Sequence, residues 1–139
     1  MTIVKDWKLA YAAGLIDGEG TIGIACYPDR HKYHFTVAVG MMTKEPLEFM
    51  RDTFGGTLAR NSSHWRWVMY NYEAISVLKQ IKPFMQLKAA QVDIGEEFCA
   101  LLKPRGGSPL GRQGRAPLTV EEIIERQQLS DKMQRLHEV

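Results

Sequence analysis

Hydrophobic and polar positions change period several times along this chain, and each change marks an element. From Trp7 to about Asp17, the residues Leu9, Ala12 or Ala13, and Ile16 recur at helical spacing, with Asp6 placed as an N-cap. At Thr21 the period drops to two. Ile22, Ile24 and Cys26 share one face, and Thr21, Gly23, Ala25 and Tyr27 share the other. Beyond the turn residues Pro28, Asp29, Arg30 and His31, the run from Tyr33 to Met41 alternates again. Phe35, Val37 and Val39 oppose His34, Thr36, Ala38 and Gly40, which predicts an antiparallel hairpin.

A helix then starts around Thr43 to Pro46, buries Leu47, Met50 and Phe54, and stops at Gly55-Gly56. Thr57 to Asn61 and Trp65 to Tyr70 form a second hairpin, with Trp65, Trp67 and Met69 inward and Arg66, Val68 and Tyr70 outward. Two helices follow: Glu73 to Lys82, ended by Pro83, and Leu87 to Leu102, with the stripe Ala90, Ile94, Phe98 and Leu101. Residues 103–118 carry Lys103, Arg105, Arg112 and Arg115 and no acidic residue, and are expected to be a flexible basic loop. Thr119 to Glu122 has the form of a capping box and opens a C-terminal helix, residues 119–137, with Ile123, Ile124, Leu129, Met133 and Leu136 apolar.

The pattern predicts one α+β domain spanning residues 1–139, in the order αββαββα plus a C-terminal helical extension, with helices on one face of an antiparallel sheet. The other face is open, polar and partly basic, with Arg30 and Lys32 at its tip. A ribbon of this kind fits a DNA major groove. Composition narrows the class further. With 45% hydrophobic and 24% charged residues the chain is globular rather than disordered. It lacks the roughly 18–20 apolar residues that span a bilayer, and its first residues do not read as a signal peptide. Cys26 and Cys99 lack metal-ligand spacing and read as buried, reduced thiols of a soluble intracellular protein. His31, His34, His64 and His137 lack the spacing of a zinc site. The net charge of +2 does not by itself argue for nucleic acid; the placement of the basic residues does.

Two features of the first helix stand apart. Ala10, Ala13, Gly14 and Gly18 form a stripe of very small residues. Gly14 costs up to ~1 kcal/mol against Ala in a helix, and close packing of another helix would offset that. The helix also ends in Asp17 and Glu19, directly before a strand, which is a natural place to hold a cation.

These residues carry a resemblance. Ala12-Ala13-Gly14-Leu15-Ile16-Asp17-Gly18-Glu19-Gly20 resembles the LAGLIDADG motif of homing endonucleases, with Ala for the first Leu and Gly18-Glu19 where the namesake has Ala-Asp. The two hairpins, Phe54-Gly55-Gly56, and Ile81-Lys82-Pro83-Phe84 leading to Lys88 are similar to the rest of that family. The resemblance implies a homodimer, as expected for a single motif, with Ala10, Ala13, Gly14 and Asp17 at the contact. It implies site-specific double-strand cleavage of a long, pseudo-palindromic DNA target. The metal would be Mg²⁺, or Mn²⁺, held by Glu19 and the Gly18 carbonyl, with Ca²⁺ supporting binding without cleavage. Lys88 matches the family's active-site lysine, and Asp17 its structural acid.

Outward residues expected at bases are Tyr27, Arg30, Lys32, His34, Thr36, Asn61 and Arg66, and Arg105, Arg112 and Arg115 are expected at phosphates. One departure stands out. Met41 falls where the family often carries a water-positioning Gln. The alternative reading is therefore a catalytically weak or inactive relative that binds DNA or intron RNA, as a maturase or a transcription factor does.

Overall fold

The computed structural model describes residues 3–27, 32–102 and 119–137. Helix α1 (Asp6–Glu19) leads into strands β1 (Gly20–Tyr27) and β2 (Lys32–Met41). Helix α2 (Glu45–Phe54) precedes β3 (Thr57–Arg60) and β4 (Trp65–Tyr70). Then come α3 (Asn71–Ile81), a 3-10 turn (Lys82–Phe84), α4 (Ala89–Leu101) and α5 (Val120–His137). The strands form one antiparallel sheet in the order β1-β2-β4-β3, so the two hairpins meet at β2 and β4 in its centre.

Register follows the alternation. Ile22 lies opposite Val37, Val39 opposite Trp67, and Leu58 opposite Trp67, placing these side chains on one face. That face carries Phe35, Val37, Val39 and Trp67, all fully buried against Ile16, Leu47, Leu78, Ile81 and Phe98 from the helices. Two local devices hold the layers together. The indole N–H of Trp67 donates to the Gly55 carbonyl at 2.8 Å, tying β4 to the end of α2. Gly95 lets α4 approach the sheet: a Cβ there would lie 2.3 Å from the Phe35 ring, so no larger residue fits without moving the helix.

The structure corrects several local expectations. Asp6 is not the N-cap of α1 but its first residue; Lys5 takes the cap position without a side-chain bond. Asp6 still favours the helix through the dipole. Helix α1 runs two residues past Asp17, through Gly18 to Glu19. Helix α4 starts at Ala89 rather than Leu87, and Ala90 is exposed, while Gln91, Val92 and Gly95 take the buried positions. Ala13 is wholly buried in the core of its own chain, so the small-residue stripe that faces outward is Ala10, Gly14 and Gly18.

The C-terminal helix is docked rather than merely tethered. Its capping box forms as read: Glu122 N–H donates to Thr119 Oγ1 at 3.2 Å and Thr119 N–H to Glu122 Oε1 at 2.8 Å. Met133 is buried, but the apolar stripe is only partly used, since Ile124 is half-exposed. Polar contacts complete the docking. Arg126, itself buried, donates to the carbonyl of Leu101 at 3.1 Å, where a cation meets the negative end of the α4 dipole. The Tyr33 hydroxyl donates to Gln127 Oε1 at 2.9 Å, and the His137 ring bonds the Ile22 carbonyl at 2.8 Å. Helix α5 thereby covers the outer edge of β1 and blocks it from pairing with another strand.

Candidate functional site

The acidic end of α1 is fastened by reciprocal bonds with the segment that leads into α4. A carboxylate ahead of a helix also meets the positive end of its dipole. Asp17 accepts from the N–H groups of Gln86 at 2.8 Å, Leu87 at 3.3 Å and Lys88 at 3.1 Å, the three residues before Ala89, where α4 begins. Lys88 returns the favour at the other helix. Its ammonium donates to the carbonyls of Ile16 at 2.9 Å and Gly20 at 2.6 Å, where α1 ends and β1 begins. Burial pushes the Lys88 pKa below the ordinary lysine value, while Asp17 and Glu19 pull it back up.

Gly20 makes the turn from helix to strand possible. A Cβ on it would lie 2.8 Å from both Cα and O of Ile16. Glu19, immediately before, is exposed and is the last helical residue. Its charge sits at the negative end of the α1 dipole, so a cation is favoured there. The Ile16 carbonyl accepts from the Gly20 N–H as well as from Lys88. A carboxylate beside the carbonyl end of a helix is an oxygen donor set, suited to a hard divalent ion that keeps most of its water. Among the described residues, no group of three His, Cys, Asp or Glu could hold a metal.

The face of the sheet away from the helices begins at this acidic end. It carries Lys32, Arg66 and Tyr70, which are exposed, and His34 and Thr36, which are half-buried. The His34 and Tyr70 rings meet edge to face at 6.4 Å. Ala38 and Val68 lie opposite one another on this face and are buried by their neighbours. Asn61 is exposed at the β3–β4 turn, where it engages His64. Arg30, Arg105, Arg112 and Arg115 lie outside the described residues, as does the side chain of Tyr27. Met41 is half-buried against the core beside Trp65, so its side chain belongs to the helix-covered face.

The outward flank of α1 is the second unusual surface. Alongside Ala10, Gly14 and Gly18 it exposes Trp7 and Tyr11. Their rings meet Phe49 of α2 at 6.0 and 4.8 Å and line a shallow depression of about 230 Å³ with Glu45 and Pro46. A Cβ on Gly14 or Gly18 would meet nothing within 4 Å. The apolar pattern missed this aromatic cluster because Trp7 and Tyr11 lie off the buried stripe. Their spacing of four, continuing to Gly14 and Gly18 on one helix side, is the signal that could have found it.

The sequence matches no protein-family model and no curated protein. Its structure is similar to solved ones. The homing endonuclease I-CvuI, in complex with its target in the presence of calcium, aligns with a TM-score of 0.73 at 22% identity, over 94% of this chain and 82% of that one. The archaeal intron-encoded homing endonuclease I-Vdi141I, complexed with DNA, aligns with a TM-score of 0.75 at 18% identity, over 94% and 84%. The homing endonuclease I-TnaI aligns over 99% and 98% with a TM-score of 0.61 at 17% identity. The chain has the fold of the LAGLIDADG homing endonucleases.

Proposed function

We propose that this chain is a metal-dependent, site-specific endonuclease of double-stranded DNA that works as a homodimer. The observation that carries the reading is Glu19, an exposed carboxylate at the end of a helix and the head of an open sheet face, in a fold whose solved examples include complexes with DNA targets. A divalent cation bound there, Mg²⁺ or Mn²⁺, would neutralise charge on the scissile phosphate and acidify a water, with Ca²⁺ supporting binding alone.

The residues of the chain do the rest. Glu19 and the Gly18 carbonyl would hold the ion, and Asp17 fixes the segment that carries Lys88. The Lys88 ammonium, at the Gly20 carbonyl, adds positive charge where phosphate charge develops. Ala10, Gly14 and Gly18, flanked by Trp7 and Tyr11, pack against the same helix of a second copy. Two Glu19 residues then meet near a two-fold axis, which calls for a palindromic or nearly palindromic site. Lys32, His34, Thr36, Arg66 and Tyr27 face base edges, and Arg30, Arg105, Arg112 and Arg115 face phosphates.

A randomised duplex library, selected for binding in Ca²⁺ and then challenged with Mg²⁺, tests this reading. The wild type is expected to cut the selected duplexes, and Glu19→Gln to bind them equally without cutting. A Glu19→Gln protein that still cuts would remove Glu19 from the chemistry, and one that fails to fold would make it structural.

A second reading has its own support. Met41 has no polar atom with which to orient water, and the Lys88 ammonium is already committed to two carbonyls. Binding of DNA or intron RNA without cleavage is the outcome this favours, and the same library decides it.

A further inference from the structure

The glycine at position 40 opens a notch in the sheet face, and one side chain is laid across it. Gly20 lies opposite Val39, so Gly40 is the next residue of β2 and stands level with Glu19. On its other side Gly40 lies opposite Arg66, which places it on the face that the helices leave open. A Cβ on Gly40 would lie 3.4 Å from Cδ2 and 3.7 Å from Nε2 of His64. One edge of the imidazole therefore rests on the glycine.

The ring is also held from behind. Asn61 N–H donates to the His64 carbonyl at 2.7 Å and closes the β3–β4 turn. Asn61 Nδ2 lies 3.4 Å from His64 Nε2. With the Asn61 amide as donor to Nε2, the ring carries its proton on Nδ1, on the edge away from Gly40. His64 thereby offers an N–H beside the residue of β2 that stands level with Glu19. Met41, the neighbouring residue of β2, is turned to the helix-covered face and offers nothing in its place.

We propose that His64 touches the DNA backbone beside the phosphate at Glu19, donating from Nδ1, with Asn61 as the residue that positions its ring. The proposal rests on the nuclease reading, for the choice of a phosphate as partner as well as for the role in cleavage. A phosphate rather than a base is the partner because Glu19 and its cation are expected to draw the reacting phosphate to this end of the sheet. His64 would then be a substrate-touching residue at a place where β2 supplies no polar group.

The test uses the full chain and a duplex recovered by selection in Ca²⁺. In single-turnover cleavage with Mg²⁺, His64→Ala is expected to be slower by roughly 10²-fold, the usual size of one lost donor at developing charge. Affinity in Ca²⁺ should change less than about 3-fold, since many other contacts carry binding. His64→Gln, which keeps an N–H donor, should recover part of the rate. An unchanged rate, or relaxed sequence choice at an unchanged rate, would overturn the proposal, the latter by making His64 a base reader. The nitrogen chemical shifts of the His64 ring supply a readout independent of cleavage. They should move when the duplex binds in Ca²⁺, and unmoved shifts would refute the contact. Should the wild type cut nothing, the nuclease reading falls while these shifts still decide the contact. If His64→Ala does not fold, Asn61→Ala replaces it, expected to slow cleavage with the ring still present; an unaltered rate would refute the positioning role.

Discussion

Gly14 and Gly20 belong to the same nine-residue motif and have opposite surroundings. A Cβ on Gly20 would run into the backbone of Ile16, whereas one on Gly14 would meet nothing. The contrast extends to whole regions. At the acidic end of α1, Asp17 binds the N–H groups ahead of α4 and Lys88 binds the carbonyls where α1 ends. Along the outward flank, Trp7 and Tyr11 rest on Phe49 yet stay exposed, and a Cβ on Gly14 or Gly18 would meet nothing. The link between Asp17 and Lys88 is completed by one chain. The second makes sense when something packs on it, and small residues between large aromatic ones suit the backbone of another helix.

The strongest way to break the finished region is Asp17→Ala. It removes the carboxylate to which three N–H groups ahead of α4 donate and should cost about 3 kcal/mol, charge-assisted bonds being the stronger kind, read as a lower midpoint in urea unfolding. Gly20→Ala comes next, at about 2 kcal/mol by overpacking against Ile16; thermal melts of the two variants should show the same ranking. Gly14→Ala should behave in the opposite way. In dilute solution it should gain up to ~1 kcal/mol through helix propensity alone, because no neighbour in the chain objects. Gly14→Leu should leave that dilute stability near wild type and shift sedimentation from dimer to monomer. A dimer that survives Gly14→Leu would end the packing argument for the flank.

The smallest effect concerns the thiols and draws the same line between closed and open surroundings. Burial pushes Cys99 up to about 11, so it is neutral and hidden at pH 8. Cys26 is half-exposed beside Gln127. A disulfide reagent should therefore label Cys26 first and Cys99 only on unfolding; equal rates would show that α4 opens readily.

What could be read from the sequence was local. Alternation predicted both hairpins, and Thr119 with Glu122 announced a capping box four residues long. Glu19 stood out as a candidate because helix, glycine and acid are neighbours in the chain. What escaped depends on partners far apart in sequence. Asp17 meets residues about seventy positions on, so nothing near it in the chain reveals its partners. Arg126 is a charge that sequence reasoning leaves in solvent; it is buried because the carbonyl end of α4 lies over it. Ala13 and Ala10 differ by less than one helical turn, and only the placement of α1 on the sheet decides which of them is covered. His64 lacks the sequence spacing of a zinc ligand, whereas its surroundings follow from a glycine on a different strand.

The link between Asp17 and the segment ahead of α4 also bears on synthesis. A nascent chain that has emerged as far as Ile81 already carries all four strands and the whole motif. It has neither the N–H groups that Asp17 accepts from nor the ammonium that bonds the end of α1. The bonds that fasten the acidic tip can therefore form only once the chain has passed Lys88.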